Sequence, residues 1–215
     1  MKVVSVNVGQ PRDLAWRGRR VRTSIFKDPV RGPVAVRRLN LDGDAQADLR
    51  VHGGVDKAVY AYPREHYAHW QAWLGREEPL PPGQFGENLT VEGLLEDEVA
   101  IGDRLRAGSA LLEVSQPRTP CFKFGVRMGT GRIQKPFLES GRVGFYLRVL
   151  EEGVLRAGDP IERTARGAGG LSVRDASRLM YLDRDDLEGA ARAALIEALS
   201  PGWREAFRRR AEGGG

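Results

Sequence analysis

The chain has 215 residues with 41% hydrophobic and 29% charged side chains, which is enough for a buried core and argues against disorder. No run approaches the ~18 apolar residues of a membrane span, the first residues carry no secretory pattern, and a single cysteine excludes an intrachain disulfide. The expected location is therefore the cytoplasm, with no membrane partner. Net charge is +5, but residues 1–40 carry ten basic and two acidic side chains, leaving −3 for the remainder. That excess suits an anionic partner such as a phosphate, an anionic cofactor or nucleic acid.

In chain order, Val4, Val6 and Val8 alternate with Ser5 and Asn7 as a half-buried strand. Pro33 to Leu39 and Ala58 to Tyr62 are further candidates. Pro63 opens a helix with Tyr67, Trp70, Trp73 and Leu74 on one face and Gly75 at its end. Val99 to Ile101 runs into a turn, Ala110 to Ser115 reads as a strand, and Phe145, Leu147 and Val149 alternate in Gly144 to Leu150. Val154 and Leu155 follow a turn. Short strands with such punctuation predict a barrel or curled sheet over residues 1–165.

Gly167 to Gly170 reads as a linker to a three-helix domain at 171–212. Ser172 and Asp175 form a capping pattern for its first helix, Asp183 is placed to cap the second, and Ser200-Pro201 opens the third, which bears Trp203 and Phe207. Arg208, Arg209 and Arg210 suit the dipole of its last turn.

Three segments can carry chemistry. Cys121 lies in Gln116-Pro117-Arg118-Thr119-Pro120-Cys121-Phe122-Lys123, where neighbouring cations favour the thiolate that binds soft metals or attacks. A small buried hydrophobe is the plain alternative. His52-Gly53-Gly54 exposes amide donors to an anion, or is a simple turn. In Gly83 to Thr90, Glu87 can accept from ring NH groups and Asn88 can bond a heterocycle edge, or both serve the turn. His66 and His69 read as surface or packing residues. Mononucleotide, dinucleotide and serine-hydrolase glycine motifs are absent from the sequence.

Four segments occur in a fixed order: Thr23 to Val30; Asp44 to Val59 with His52-Gly53-Gly54-Val55-Asp56-Lys57-Ala58-Val59; Phe85-Gly86-Glu87-Asn88; and Gln116 to Cys121. The order resembles the MOSC family, named for the molybdenum cofactor sulfurase C-terminal domain, and within it the YiiM-like branch. The resemblance implies a mainly β, barrel-like fold followed by a small three-helix domain. It also implies a molybdenum–molybdopterin cofactor with Cys121 as metal ligand and catalytic residue. Ser24, Lys27, His52, Gly53, Gly54, Glu87, Asn88 and Arg118 form the expected cofactor-binding set.

The implied reaction reduces small N-hydroxylated compounds, including N-hydroxylated purine analogues, to amines. Electrons would come from a separate flavin or iron–sulfur protein. The alternative is a non-catalytic cofactor carrier or sulfur-transfer module using Cys121. A nucleic-acid role has only the basic segments in its favour, with no recognised binding motif. A homodimer is the commonest closed assembly.

Overall fold

In the computed structural model, which describes residues 1–47 and 53–213, twelve strands and six α-helices are arranged around one curled sheet. The strands are β1 (Lys2–Val8), β2 (Arg12–Trp16), β3 (Arg19–Thr23), β4 (Asp28–Pro29), β5 (Val34–Val36), β6 (Val59–Pro63), β7 (Leu89–Glu92), β8 (Arg104–Ala107), β9 (Ala110–Pro117), β10 (Phe145–Glu151), β11 (Gly153–Leu155) and β12 (Ile161–Ala165). The helices are α1 (Tyr67–Trp73), α2 (Phe122–Met128), α3 (Gln134–Glu139), α4 (Val173–Tyr181), α5 (Leu187–Ala194) and α6 (Pro201–Ala211).

Eight strands pair in the order β12-β8-β9-β10-β6-β7-β1-β4, with β6 and β7 parallel. A parallel pair needs a crossover, and α1 lies in it. The sheet curls until its far strand meets its first. Val3 N donates to Asp159 O at 2.9 Å, and Ile161 N donates to Met1 O at 3.0 Å. The result is the expected barrel-like architecture.

The barrel interior is aliphatic, with Val3, Val6, Leu89, Leu112, Val114 and Leu147 all buried. A second, aromatic core lies under α1, α2 and α3, where Tyr62 stacks on Phe85 at 4.0 Å and Phe124 meets Phe137 at 4.5 Å. β1 is less alternating than its sequence suggests. Ser5 and Asn7 are buried, and Ser5 Oγ bonds Asn7 Oδ1 at 2.8 Å.

The exposed β2–β3 hairpin and the helices α2 and α3 lie outside the sequence expectation. Gly125, Gly129 and Pro136 dilute the helical signal of two already short helices. A Cβ on Gly125 would lie only 3.1 Å from Gly131 Cα, so helix propensity yields there to close packing. Pro63 ends β6, and a 3-10 turn over Arg64–His66 precedes α1.

The three C-terminal helices share the barrel's core. Val173, Ala176, Ala190, Leu199, Trp203 and Phe207 belong to the same apolar cluster as the barrel strands. Ile101 N donates to Leu171 O at 2.9 Å, and Ser200 N donates to Ser115 O at 3.1 Å. The glycine segment before them is docked rather than free, since a Cβ on Gly167 would lie 1.9 Å from Ile101 O. Ser172 caps α4 through Asp175 N at 2.9 Å, as its spacing predicts. The cap of α5 is Asp186, accepting from Gly189 N at 2.7 Å, because Asp183 is held by Arg178. Arg210 donates to the carbonyls of Leu179 and Met180, so it closes the end of α4 as well as suiting its own helix. No helix among the described residues is long and apolar enough to cross a membrane.

Candidate functional site

The site begins where two loops press together. After β3 the chain runs through residues 24–27, and the loop 83–88 lies against it. Gly83 and Gly86 have φ of +81° and +79°. A Cβ on Gly83 would lie 2.4 Å from Lys27 O, and one on Gly86 would lie 2.7 Å from Ile25 Cγ1. Glycine alone combines that backbone conformation with that approach.

Beside this contact is a recess of about 590 Å³, solvent at its mouth included. Ser24, Lys27, Asn88, Arg118 and Cys121 line it together with Asp44, Gln46, Lys123 and Tyr146. Lys27 and Asp44 form an ion pair with both side chains almost wholly buried. Asp44 also accepts from Gly9 N at 2.8 Å and from Asn88 Nδ2 at 3.0 Å. Asn88 Oδ1 in turn accepts from Tyr60 N at 3.1 Å, so its amide is clamped at both ends. Burial pushes the Lys27 ammonium below its ordinary pKa, and Asp44 works against that shift.

Arg118 is buried and donates from Nη1 to Phe85 O at 2.7 Å. Its guanidinium lies 4.7 Å from the Tyr60 ring centre and 4.8 Å from that of Phe124. Burial alone would lower its pKa, but Tyr60, Tyr146 and Cys121 outweigh that and raise it, so it is a permanent cation. No carboxylate pairs with it among the described residues. Ser24 Oγ is buried in the recess with no hydrogen-bond partner among the described residues.

Cys121 is half-buried and precedes α2 in extended backbone. It also lines a second recess with Tyr146, and the two residues form a wall common to both. Gly53, Gly54, Thr119 and the start of α6 at Ser200 to Trp203 line that second recess as well. Gly54 has φ of +94°, in keeping with a turn.

Glu87 is placed differently from the expected acceptor of ring NH groups. It is fully buried behind the recess, and its carboxylate accepts from Gly83 N at 2.8 Å, Phe85 N at 2.9 Å, Thr90 Oγ1 at 2.8 Å and the Tyr67 hydroxyl. Its oxygens are occupied in shaping the loop that presents Asn88. Burial raises its pKa, against the pull of those donors. His52 lies outside the described residues. His66 pairs with buried Glu96 at 2.6 Å, and His69 is at the surface near Arg142.

The basic amino-terminal segment does not converge on the recess as its net charge suggests. Of its cations only Lys27 lines the recess. Arg20 and Arg22 reach Asp13, and Arg37 reaches Asp42, all on exposed surface. Asp44 and Tyr146 are site residues that the sequence reading did not single out. A buried lysine requires a carboxylate partner, and that requirement is the one signal that points to Asp44.

The profile of the MOSC domain matches residues 48–162, and that of the YiiM-like, 3-alpha helix domain matches residues 171–214. The Bacillus subtilis protein YflK is 44% identical over 95% of this chain and 92% of its own length. The crystal structure of YiiM from Geobacillus stearothermophilus superposes with a TM-score of 0.83 at 40% identity, covering 98% of both chains. A Gibberella moniliformis protein named "Reductase" is 36% identical over 76% of this chain, which spans 29% of that protein. The chain belongs to the MOSC-domain family, in its YiiM-like branch.

Proposed function

We propose that this chain is a molybdenum-cofactor-dependent oxidoreductase that reduces N-hydroxylated compounds, such as N-hydroxylated purine analogues, to amines. The observation that carries the reading is the position of Cys121, on the wall between a cation-lined recess and a second, open one. The similarity to a protein named "Reductase" supports the reaction class.

The residues present fit an anionic, sulfur-ligated cofactor. Among the described residues, the buried hydroxyl of Ser24 has no partner and the buried cation Arg118 has no paired carboxylate. Both are costly unless a ligand engages them. Cys121 would ligate the metal; Ser24, Lys27, Asn88 and Arg118 would hold the cofactor's polar and anionic parts. When bound, the cofactor supplies the two-electron redox centre. Gly53 and Gly54, which line the second recess together with Cys121, would leave room for a flat substrate and present backbone donors to it. Reduction of R–NHOH to R–NH2 and water consumes two electrons and two protons, and the electrons come from a separate redox protein.

The test is metal and pterin analysis of protein purified from a molybdate-replete host, with turnover of an N-hydroxylated purine. Bound molybdenum and pterin are expected, and Cys121→Ser abolishes turnover. A Cys121→Ser variant as fast as the parent sinks the proposal. Because Cys121 is accessible from two sides, a sulfur carrier is the second reading; a persulfide on Cys121 without turnover under any electron donor would favour it.

A further inference from the structure

The β2–β3 hairpin is a two-stranded sheet separate from the barrel sheet, pairing with no third strand among the described residues. Arg12, Arg17, Arg19, Arg20 and Arg22 are all exposed on it, against the single acid Asp13. Asp13 reaches Arg20 at 2.6 Å and Arg22 at 3.4 Å, which leaves the hairpin strongly cationic. A structural element with that charge needs a reason, because like charges on one small hairpin repel.

Its position supplies one. The hairpin's exit strand delivers Thr23 and Ser24 directly into the recess. At its tip, the Arg17 guanidinium lies 3.4 Å from where a Cβ on Gly131 would stand, just past α2. At its base, Arg12 lies over Phe26 at 3.8 Å, and Arg127 of α2 approaches the same ring at 5.0 Å. The seven residues of α2 span about 10 Å at 1.5 Å each, and Cys121 opens that helix. Phe122, next to the cysteine, is 54% exposed. A cationic hairpin against the far end of α2 and a bare aromatic beside Cys121 at its start together complement an acidic protein surface with an apolar patch.

We infer that the arginine hairpin is the docking surface for the electron donor, an acidic flavodoxin-type protein. This rests on the reductase reading above, which requires two electrons per turnover. With a flavodoxin as donor, two hydroquinone molecules are each oxidised by one electron, and R–NHOH takes up two protons to give R–NH2 and water.

The probe is a flavodoxin, used with the full-length, cofactor-loaded chain. Calorimetry at about 20 mM and about 200 mM salt brackets the change in screening. The triple variants Arg19→Gln/Arg20→Gln/Arg22→Gln and Arg19→Glu/Arg20→Glu/Arg22→Glu are compared with the parent. Flavodoxin affinity is expected to fall about tenfold or more in the variants and in the parent at high salt. Flavodoxin-driven turnover falls with it, whereas turnover driven by reduced methyl viologen stays at the parental rate. Equal affinity of parent and both variants overturns the inference, as does a parent that does not bind flavodoxin at low salt. Tighter, arginine-dependent binding of duplex DNA than of flavodoxin also overturns it and assigns the hairpin to nucleic acid. Arginine-dependent flavodoxin binding without viologen-driven turnover in the parent leaves the docking surface standing and removes the reductase reading.

Discussion

Arg118 Nη1 donates to the carbonyl oxygen of Phe85 at 2.7 Å, across 33 positions of sequence. That bond joins the segment bearing Cys121 to the loop bearing Asn88, so two motifs that are separate in the chain become one wall.

Replacing Arg118 tests whether it is only a brace. Arg118→Ala leaves the Phe85 carbonyl unpaired and removes the cation between two rings, a loss of about 2–3 kcal/mol in urea denaturation. Arg118→Lys keeps the charge without the fork and is expected to cost about half as much. Both variants are expected to retain less pterin than the parent. Parental pterin content in Arg118→Ala would make the residue structural alone.

Asp44→Ala strands Lys27 as a buried ammonium without its counter-charge. A loss of about 3–5 kcal/mol is expected. The double variant Lys27→Met/Asp44→Asn should recover part of it, since no unpaired ammonium is then buried and the amide oxygen can still accept from Gly9 N. A double-mutant cycle by chemical denaturation measures the difference.

Glu87→Gln puts an amide NH2 among groups that all donate to the carboxylate. Stability is expected to fall by about 1–3 kcal/mol. Pterin bound per folded molecule is expected to stay at the parental level, because Glu87 stands behind the recess. Loss of pterin with unchanged stability would restore it as a cofactor contact.

The chain's five tyrosines, Tyr60, Tyr62, Tyr67, Tyr146 and Tyr181, all have pKa values raised above 10, in each case chiefly by burial. In the unfolded chain they ionise near pH 10. The unfolded state therefore holds fewer protons than the folded one above that pH, so their contribution to stability is intact below pH 10 and declines above it. Absorbance at 295 nm should show no ordinary phenol titration until the protein unfolds. A reversible titration of several tyrosines near pH 10 in the folded state would contradict this.

Truncation after Arg166 removes Leu171 and the helices that complete the apolar cluster. The remaining chain is expected to lose cooperative unfolding and near-ultraviolet circular dichroism. A truncated barrel with the parent's sharp thermal transition would show that the helices are an independent appendage.

Local patterns made much of the scaffold readable in advance. Ser172 and Asp175 are three residues apart, and their cap depends on nothing distant. β9 and β10 carry enough contiguous apolar residues to declare themselves. Hairpin β2–β3 stayed hidden because only Val21 and Thr23 of its strand residues are buried, too short an alternation to stand out among exposed arginines. Helices α2 and α3 stayed hidden because close approach at Gly125 displaced the residues that announce a helix.

The sequence by itself determined the membership of the family, the candidate cysteine and the order of its motifs, because motif spacing and residue chemistry are local properties. Only the tertiary structure decided that Lys27 spends its charge on Asp44, that Glu87 braces a loop, and that Cys121 faces two recesses. Those outcomes depend on which side chains meet across distant loops, and burial then sets whether a charge is free to meet a ligand or is already committed to a neighbour.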